Sequence, residues 1–187
     1  MDKPEYEYLA KEKIQLIEVK IKKIGQLFNS FDPSPFLEKD LDDDAFEYIV
    51  SSVAEHHLKT KQKIIIYLPI HQKQKISELE IRRAIHNFFE YKKTLANKSI
   101  RLSLQEGQLS FVVGIIFLAT CLVISEYLSK IATSLAMRII VEGLIIGGWV
   151  AMWKPISNIL YDWCPLRKEK RIYEKIANME VEFKYTN

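Results

Sequence analysis

The chain is poor in cysteine, glycine and proline, and each shortage excludes a class of protein. Its 187 residues include only two cysteines, which is too few for a disulfide framework or a thiolate zinc site. Six glycines and six prolines argue against a low-complexity or collagen-like chain. The sequence motifs of P-loops, of dinucleotide binding and of serine hydrolases are missing as well. No motif fixes a reaction, and we predict a protein that has no enzymatic activity and no cofactor.

Charge is also missing, but only from one part of the chain. No charged side chain occurs between Leu109 and Ser125, and a second apolar run, Leu135–Trp153, carries only two charges. As a helix, the 20 residues of Leu109–Leu128 would extend over about 30 Å, the thickness of the hydrocarbon core of a bilayer. We therefore predict a two-helix transmembrane hairpin over residues 109–153. A buried hairpin of a soluble protein is the alternative.

Basic residues near the two spans predict the orientation of this hairpin. The short connection Ser129–Ser134 contains only Lys130, whereas lysine and arginine collect before the first span and after the second. Because basic flanks tend to stay in the cytoplasm, we expect both termini to be cytoplasmic. These flanks can meet anionic headgroups, and no nucleic-acid partner is expected, because no binding motif accompanies them. The flanking basic residues are Lys92, Lys93, Lys98 and Arg101 on one side and Lys154, Arg167, Lys168, Lys170 and Arg171 on the other.

Three charged residues of the hairpin are candidate functional groups, namely Glu126, Arg138 and Glu142. Glu126 precedes Lys130 by four residues, and Arg138 precedes Glu142 by four, so each pair can form an ion pair on one helix face. Such pairs would lower the cost of immersion without any further role. The alternative is that Glu142 titrates, or binds a cation, on a transport path.

Three glycines of the second span, Gly143, Gly147 and Gly148, are candidate helix-packing residues. Gly143 and Gly147 have the Gly-x-x-x-Gly spacing that places small residues on one face and allows a second backbone to approach closely. Two partners for this face remain open. It packs against the first span, or it forms the subunit interface of a homo-oligomer.

The rest of the chain predicts a small cytoplasmic α/β domain built from both ends. Residues 1–30 are typical of an amphipathic helix, and residues 31–105 of an α/β region with a buried strand at Lys63–Pro69. A capping box at Ser77–Glu80 opens a helix that we expect to continue into the first span. The apolar positions of the N-terminal helix, spaced 3-4-3-4, are Ile14, Ile17, Ile21, Ile24 and Phe28.

Residues 156–187 predict three further elements, an interfacial helix, a charged helix and a C-terminal strand. In that strand, Val181–Tyr185, apolar and charged residues alternate. Because one strand is not stable alone, we expect it to join Lys63–Leu68 in one sheet. Pairing of these strands between subunits is the alternative.

An acidic cluster, Asp40–Asp44, precedes a helical stripe of apolar residues. Carboxylates at that place cap free amides and oppose the helix dipole, so the cluster predicts a helix start. It also resembles the beginning of a calcium loop, yet Ala45 and Ser51 stand where that loop needs Gly and Glu. The remaining alternative is a surface enzyme that holds a divalent ion with Asp32, Asp40, Asp42 and Asp44. No metal role is expected for the four histidines, His56, His57, His71 and His86.

Two stretches resemble a known family. LFNSFDPSPFLEKDLDDDAFEYIV (Leu27–Val50) and EGLIIGGWVAMWKPISNILYDWCPLRKEKRIYEKI (Glu142–Ile176) resemble a widespread, uncharacterised bacterial family of small two-span membrane proteins. The resemblance runs from about residue 27 to the C-terminus. It implies a location in the bacterial cytoplasmic (inner) membrane, and it implies no activity and no functional residue.

Together these features predict a mainly α membrane protein whose hairpin carries a small α/β cytoplasmic domain. The expected function is that of a non-enzymatic scaffold or accessory subunit of a membrane complex. Its expected partners are the lipid bilayer, further copies of the same chain and a protein on the cytoplasmic side. A multi-subunit ion channel or ion-coupled transporter that uses Glu142 is the alternative.

Overall fold

The computed structural model describes residues 14–70 and 77–186 of the chain. The chain divides into two compact units, Met1–Leu95 with Glu169–Asn187 and Ala96–Lys168. We call them the sheet unit and the hairpin unit. The described elements are β1 (Gln15–Lys20), α1 (Asp43–Ala54), β2 (Gln62–Pro69), α2 (Glu78–Ile131), α3 (Leu135–Ala151), α4 (Trp153–Ser157), a π-helix (Asn158–Asp162), α5 (Trp163–Ala177) and β3 (Glu180–Thr186), with single 3-10 turns at Ile24–Gln26 and Phe36–Glu38.

The sheet unit is built on three parallel strands in the order β1-β2-β3. β2 lies in the centre, and Ile64 is in register with Ile17 on one side and with Val181 on the other. The predicted pairing of Lys63–Leu68 with Val181–Tyr185 within one chain is therefore confirmed. The connection from β2 to β3 contains the whole hairpin unit.

The first strand corrects the prediction of an N-terminal helix. Residues 15–20 form β1, and only Ile24–Gln26 has helical character among the residues from 14 to 30. The same residues that have the 3-4 spacing of a helix also fit the alternate burial of a strand. Ile17 and Val19 are buried, whereas Glu18 and Lys20 are exposed. Pairing with β2 over the length of the strand decides between the two patterns. Residues 1–13, which the predicted helix also included, lie outside the described part.

The core of the sheet unit lies against one face of the sheet. Alternate residues of the strands are buried there, and α1, α2 and α5 supply buried residues as well. Four aromatic rings, from Phe46, Phe88, Phe89 and Tyr173, have centroids 5.3–6.3 Å apart. Lys92 Nζ lies 5.1 Å from the ring centroids of both Phe46 and Phe88, so this predicted membrane-flanking lysine contacts the core of its own unit.

The opposite face of the sheet carries charged side chains that pair across the strands. Lys63 Nζ lies 2.9 Å from Glu180 and 2.6 Å from Glu182, and the Tyr67 hydroxyl donates a 2.7 Å hydrogen bond to Glu18. Hydrogen bonds from Lys63 lower the pKa of Glu182, and the same bonds raise the pKa of Lys63. These pairs fix the register of three strands from one face.

Two predicted helix starts are confirmed. Asp42 is the N-cap of α1, and its carboxylate accepts from the Asp44 N–H at 3.2 Å. Before α2, the Ser77 N–H donates to the Glu80 carboxylate at 3.3 Å, which is one half of the predicted capping box. The helix then runs for 54 residues without a break, as the sequence predicted.

Two helical runs, Glu78–Ile131 and Leu135–Ala177, are long and apolar enough to cross a membrane. The second run changes its geometry at its prolines. α3 ends at Ala151, four residues before Pro155, and the π-helix ends at Asp162, three residues before Pro165. A proline ring clashes with the carbonyl four residues earlier and removes one helical hydrogen bond, so each break stands where a regular helix cannot continue.

Candidate functional site

The hairpin unit contains a seam of small residues where its helices touch. A Cβ atom built on Gly148 would lie 2.9 Å from Leu118 Cδ1 and 3.2 Å from Cys121 Cβ. A Cβ atom on Gly114 would lie 2.9 Å from Met152 Sδ. Glycine therefore allows the helices to approach to a distance that larger residues prevent.

Only part of this seam was predicted from the sequence. On α2 it includes Gly107, Gly114, Cys121 and Ser125, which are all buried. These small residues repeat at spacings of 7, 7 and 4, which is the signal that could have identified them as one face. The Cys121 thiol belongs to this contact, and both cysteines are free.

Gly143 and Gly147 do not take part in the seam. No described atom lies within 4 Å of a Cβ atom built on either residue. Of the three predicted packing glycines, Gly148 thus packs against the first predicted span, whereas the Gly-x-x-x-Gly pair faces away from it. Packing against the first span is therefore found for Gly148, and the subunit interface stays a prediction.

The predicted pair of Glu126 and Lys130 is present. Lys130 Nζ lies 3.3 Å from the Glu126 carboxylate and 5.9 Å from the ring centroid of Tyr127. Both charged side chains are about two-thirds exposed. The pair lies in the last turns of α2, next to the connection between the helices.

The predicted pair of Arg138 and Glu142 is not formed. The ion pairs found among the described residues include neither side chain, and both residues are exposed. Glu142 lies seven residues into α3, which corresponds to about 10 Å from its first residue. In a bilayer, a charged side chain at the middle of a span costs about 2.5–3.5 kcal/mol on insertion scales, so an unpaired Glu142 at that depth requires an explanation.

Asp32, a candidate metal ligand of the sequence analysis, has a structural role in the sheet unit. Its carboxylate accepts hydrogen bonds from the Ser34 N–H at 2.9 Å and from the Asp40 N–H at 2.6 Å. These hydrogen bonds, the one from Asp40 first, lower the pKa of Asp32 from 3.8 to about 2. Asp42 caps α1, so two of the four proposed ligands bind backbone amides of their own loop.

The clefts of the sheet unit do not combine these groups into a metal centre. Within residues 14–70 and 77–186, no cluster of three or more His, Cys, Asp or Glu residues has the geometry of a metal site. A cleft of about 650 Å³ lies at the end of β1 and is lined by Lys20, Asp42 and Tyr48 among others. A second cleft of about 410 Å³ is lined by Asp32, Asp40 and Asn87 among others.

Two of the described histidines contact backbone atoms. The His57 ring accepts from the Lys59 N–H at 3.2 Å, and His86 Nε2 lies 3.0 Å from the Met179 carbonyl oxygen. His71 lies outside the described residues. One ring nitrogen of His57 and one of His86 thus have backbone partners within the sheet unit.

Comparison with protein families, with curated proteins and with solved structures finds no match to this chain. Among the candidate residues of the hairpin unit, Arg138 and Glu142 form no ion pair with a described residue, and no described atom lies within 4 Å of a Cβ atom built on Gly143 or Gly147. All four lie on α3.

Proposed function

We propose that the chain is an integral protein of the bacterial inner membrane that assembles into a homo-oligomer. Its function would be that of a non-enzymatic scaffold or accessory subunit of a membrane complex. The last part of α2 and α3 would cross the bilayer as a hairpin, and the sheet unit would bind a protein partner in the cytoplasm. The bacterial location rests on the family resemblance of the sequence.

The observation that carries this proposal is the exposure of the apolar helices. Only 17% and 11% of the residues in their most apolar 18-residue windows are buried within the chain. A core helix of a soluble protein buries its apolar face, and monomeric soluble proteins rarely expose apolar patches of this extent. Lipid is the environment in which such a surface is favourable.

The topology of the sheet supports a hairpin with both flanks on one side. β2 precedes the hairpin unit in the chain, β3 follows it, and the two strands are paired from Lys63 to Pro69. A chain that leaves one compartment after β2 must return to it before β3, which requires an even number of crossings. The basic flanks support the cytoplasm as that compartment.

Exposed tryptophans support the same placement. Trp149 and Trp153 lie near the end of the second span and are 61% and 80% exposed. Indole rings favour the headgroup region, where the apolar ring and the polar N–H find suitable surroundings. Lys154 follows directly, and its ion pair with Asp162 at 3.1 Å would lie at the inner interface.

A scaffold role is supported by how the sheet unit uses its polar side chains. Asp32 and Asp42 bind backbone amides, Lys63 pairs with two carboxylates across strands, and Lys175 donates to the Thr60 carbonyl at 2.8 Å. These groups stabilise the fold. Among residues 14–70 and 77–186, β1 and β3 are the outer strands of the sheet, and each has an edge at which a further strand can add.

The proposal is tested by measuring the mass of the detergent-solubilised protein and by identifying the proteins that co-purify from native membranes after cross-linking. We expect a mass of two or more chains and a reproducible cytoplasmic-side partner. A strictly monomeric protein would contradict the assembly, and release of the chain by alkaline carbonate would contradict the membrane insertion.

A second candidate, an oligomeric ion channel or ion-coupled transporter, is favoured by one observation, the unpaired and exposed Glu142. Two spans cannot enclose a pathway, so several copies would be needed. Ion flux into proteoliposomes should be compared for the wild type, Glu142→Gln and the control Glu126→Gln. The scaffold proposal predicts no flux above that of empty liposomes. Flux that is lost only in Glu142→Gln would favour the channel.

A further inference from the structure

One stripe of exposed residues runs along the whole length of α3. At 100° per residue its members fall within an arc of about 100°, so they share one helix face. The buried residues Gly148 and Met152 lie on another face, which contacts α2. We call this surface the exposed stripe; it consists of Leu135, Arg138, Ile139, Glu142, Ile146 and Trp149, all exposed.

The exposed stripe contains two opposite charges that do not neutralise each other within the chain. Arg138 and Glu142 are one helical turn apart, but they form no ion pair among the described residues. Glu126 and Lys130, at the same spacing in α2, do pair at 3.3 Å. In a bilayer, lipid chains offer no hydrogen bonds to a guanidinium or a carboxylate, so a surface that carries both requires a polar partner at the same depth.

We propose that the exposed stripe docks against the same stripe of a second copy, with Arg138 of each copy paired with Glu142 of the other. Two copies inserted in the same direction and related by a two-fold axis along the membrane normal place equal residues at equal depth. Four residues separate the two charges by about 6 Å along the helix, which the long arginine side chain can bridge. This inference rests on the proposed membrane insertion and assembly.

The charge pattern of the stripe fits a second copy in particular. A stripe with one cation and one anion, one turn apart, is complementary to itself in a two-fold arrangement, and both ion pairs then form at once. An anionic headgroup could pair with Arg138 but would leave Glu142 without a partner. A different protein would need the reverse charge order at the same depth, and that case is an outcome of the test below.

The surroundings of the two charges permit the contact. Gly143 and Gly147 lie beside the stripe, and no described atom stands within 4 Å of a Cβ atom built on either. A second backbone can therefore approach there without a steric clash. Ile139 and Ile146, which are 61% and 62% exposed, lie one turn to either side of Glu142 and would supply apolar contacts around the ion pairs.

The test uses two differently tagged copies that are expressed together in native membranes. One copy carries Glu142→Arg and the other Arg138→Glu, so each has two like charges on the stripe. Like copies should repel each other, whereas a mixed pair restores both ion pairs between chains. We expect tag capture to recover at least about tenfold more of the mixed pair than of either like pair. The reason is that two attractive charge contacts replace two repulsive ones.

A preference for mixed pairs of copies, which we call charge sorting, distinguishes an ion pair between chains from one within a chain. Each single variant destroys an intrachain pair, and mixing the two copies cannot restore it. The matched control applies the same exchange to the intrachain pair of α2, with Glu126→Arg in one copy and Lys130→Glu in the other. We expect no sorting of that control. Charge sorting confined to positions 138 and 142 supports the inference.

The other outcomes contradict the inference in distinguishable ways. If wild-type copies capture each other and the 138/142 variants do so without preference, the copies assemble through another surface, and only this inference fails. If the wild-type chain forms complexes only with a different protein, the stripe serves that partner and the inference fails. If wild-type copies do not associate at all, the proposed assembly fails as well.

A second measurement leaves both charges intact and so does not depend on the folding of the charge variants. Single cysteines at Ile139 and Ile146, in a Cys164→Ser background, are oxidised in native membranes and compared with Val123→Cys, an exposed position on α2. Disulfide-linked dimers at positions 139 and 146, in excess over position 123, support the inference. Equal or reversed cross-linking overturns it.

Discussion

The carboxylate of Asp32 closes the loop that leads from β1 to α1. Its two oxygens accept from the backbone of Ser34 and Asp40, at 2.9 and 2.6 Å, and thereby hold the start of the Asp-Pro-Ser-Pro turn close to Asp40. Nearby, Asn87 donates to the Leu37 carbonyl at 3.0 Å and fixes the loop to α2. The ionised form of Asp32 is therefore the form that the folded loop needs.

Replacement of Asp32 by Asn should reduce thermal stability at neutral pH. Because the folded-state pKa of Asp32 is lowered from 3.8 to about 2, the stabilisation is fully present above pH 3.8 and disappears as the pH falls towards 2. The difference in melting temperature between wild type and Asp32→Asn, measured by differential scanning fluorimetry, should shrink over that interval. Asp43→Asn removes an equal charge from the first turn of α1 and serves as control. A difference that is independent of pH would contradict the role of the ionised carboxylate.

Alanine substitution should distinguish the two kinds of glycine in α3. Gly148→Ala places a methyl group 2.9 Å from Leu118 Cδ1 and 3.2 Å from Cys121 Cβ, and we expect it to destabilise the hairpin by about 1–3 kcal/mol. Gly143→Ala meets no described atom of its own chain within 4 Å, so it should not weaken the contact of α3 with α2, and alanine favours helix. Unfolding in detergent, followed by circular dichroism, compares the two. Equal stabilities of the Gly148→Ala and Gly143→Ala variants would contradict the close contact of Gly148 with α2.

At the scale of elements, β1 is the one for which the sequence pattern was misleading. Ile14, Ile17 and Ile21 fit a helical stripe, but Ile17 and Val19 also fit a strand with alternate burial. A short segment can fit both the helical period and the strand period, and pairing with a neighbouring strand then decides which structure forms. That partner, β2, begins more than 40 residues later in the chain, where no local rule connects it to β1.

Two isoleucines of this segment distinguish strand from helix. On the predicted helix both Ile14 and Ile17 would lie in the apolar seam, whereas in the structure Ile14 is 47% exposed and Ile17 is 3% exposed. Ile17→Ala should therefore lower the free energy of unfolding by about 2–4 kcal/mol, and Ile14→Ala by less than about 1 kcal/mol. Denaturant unfolding of the two variants provides the measurement. Similar losses at both positions would favour the helix.

The elements with strong local signals could be predicted from the sequence. The run Lys63–Pro69 is β-branched and ends at proline, Ser77–Glu80 has capping residues, and the apolar runs have the length of membrane spans. Whether Arg138 and Glu142 form an ion pair could not be predicted in this way, because the i,i+4 spacing permits such a pair but does not enforce it. Which of the three glycines contacts α2 depends on the rotation of α3 about its axis, and the sequence spacing alone does not determine that rotation.

At the scale of the whole molecule, the hairpin unit is an insertion in a parallel β-α-β connection. The paired strands β2 and β3 flank it in sequence, and α2 and α5 each contribute residues to both units. The sheet can form only after the chain has completed the entire hairpin. If the hairpin crosses the membrane as proposed, pairing of β2 with β3 requires the chain to return to the side it left, and a single crossing would separate the two strands.

Thiol accessibility in intact cells tests this topology most directly. Thr133→Cys places an exposed thiol in the connection between α2 and α3 and preserves the Ser134 cap of α3, while Ala54→Cys places an exposed thiol on α1 of the sheet unit. Both are made in a Cys164→Ser background, in which the remaining Cys121 is buried. The cells are treated so that the outer membrane is permeable and the inner membrane stays intact. We expect a membrane-impermeant maleimide to label Thr133→Cys in these cells, and to label Ala54→Cys only after lysis. Labelling of both positions from the same side would contradict the membrane-spanning hairpin.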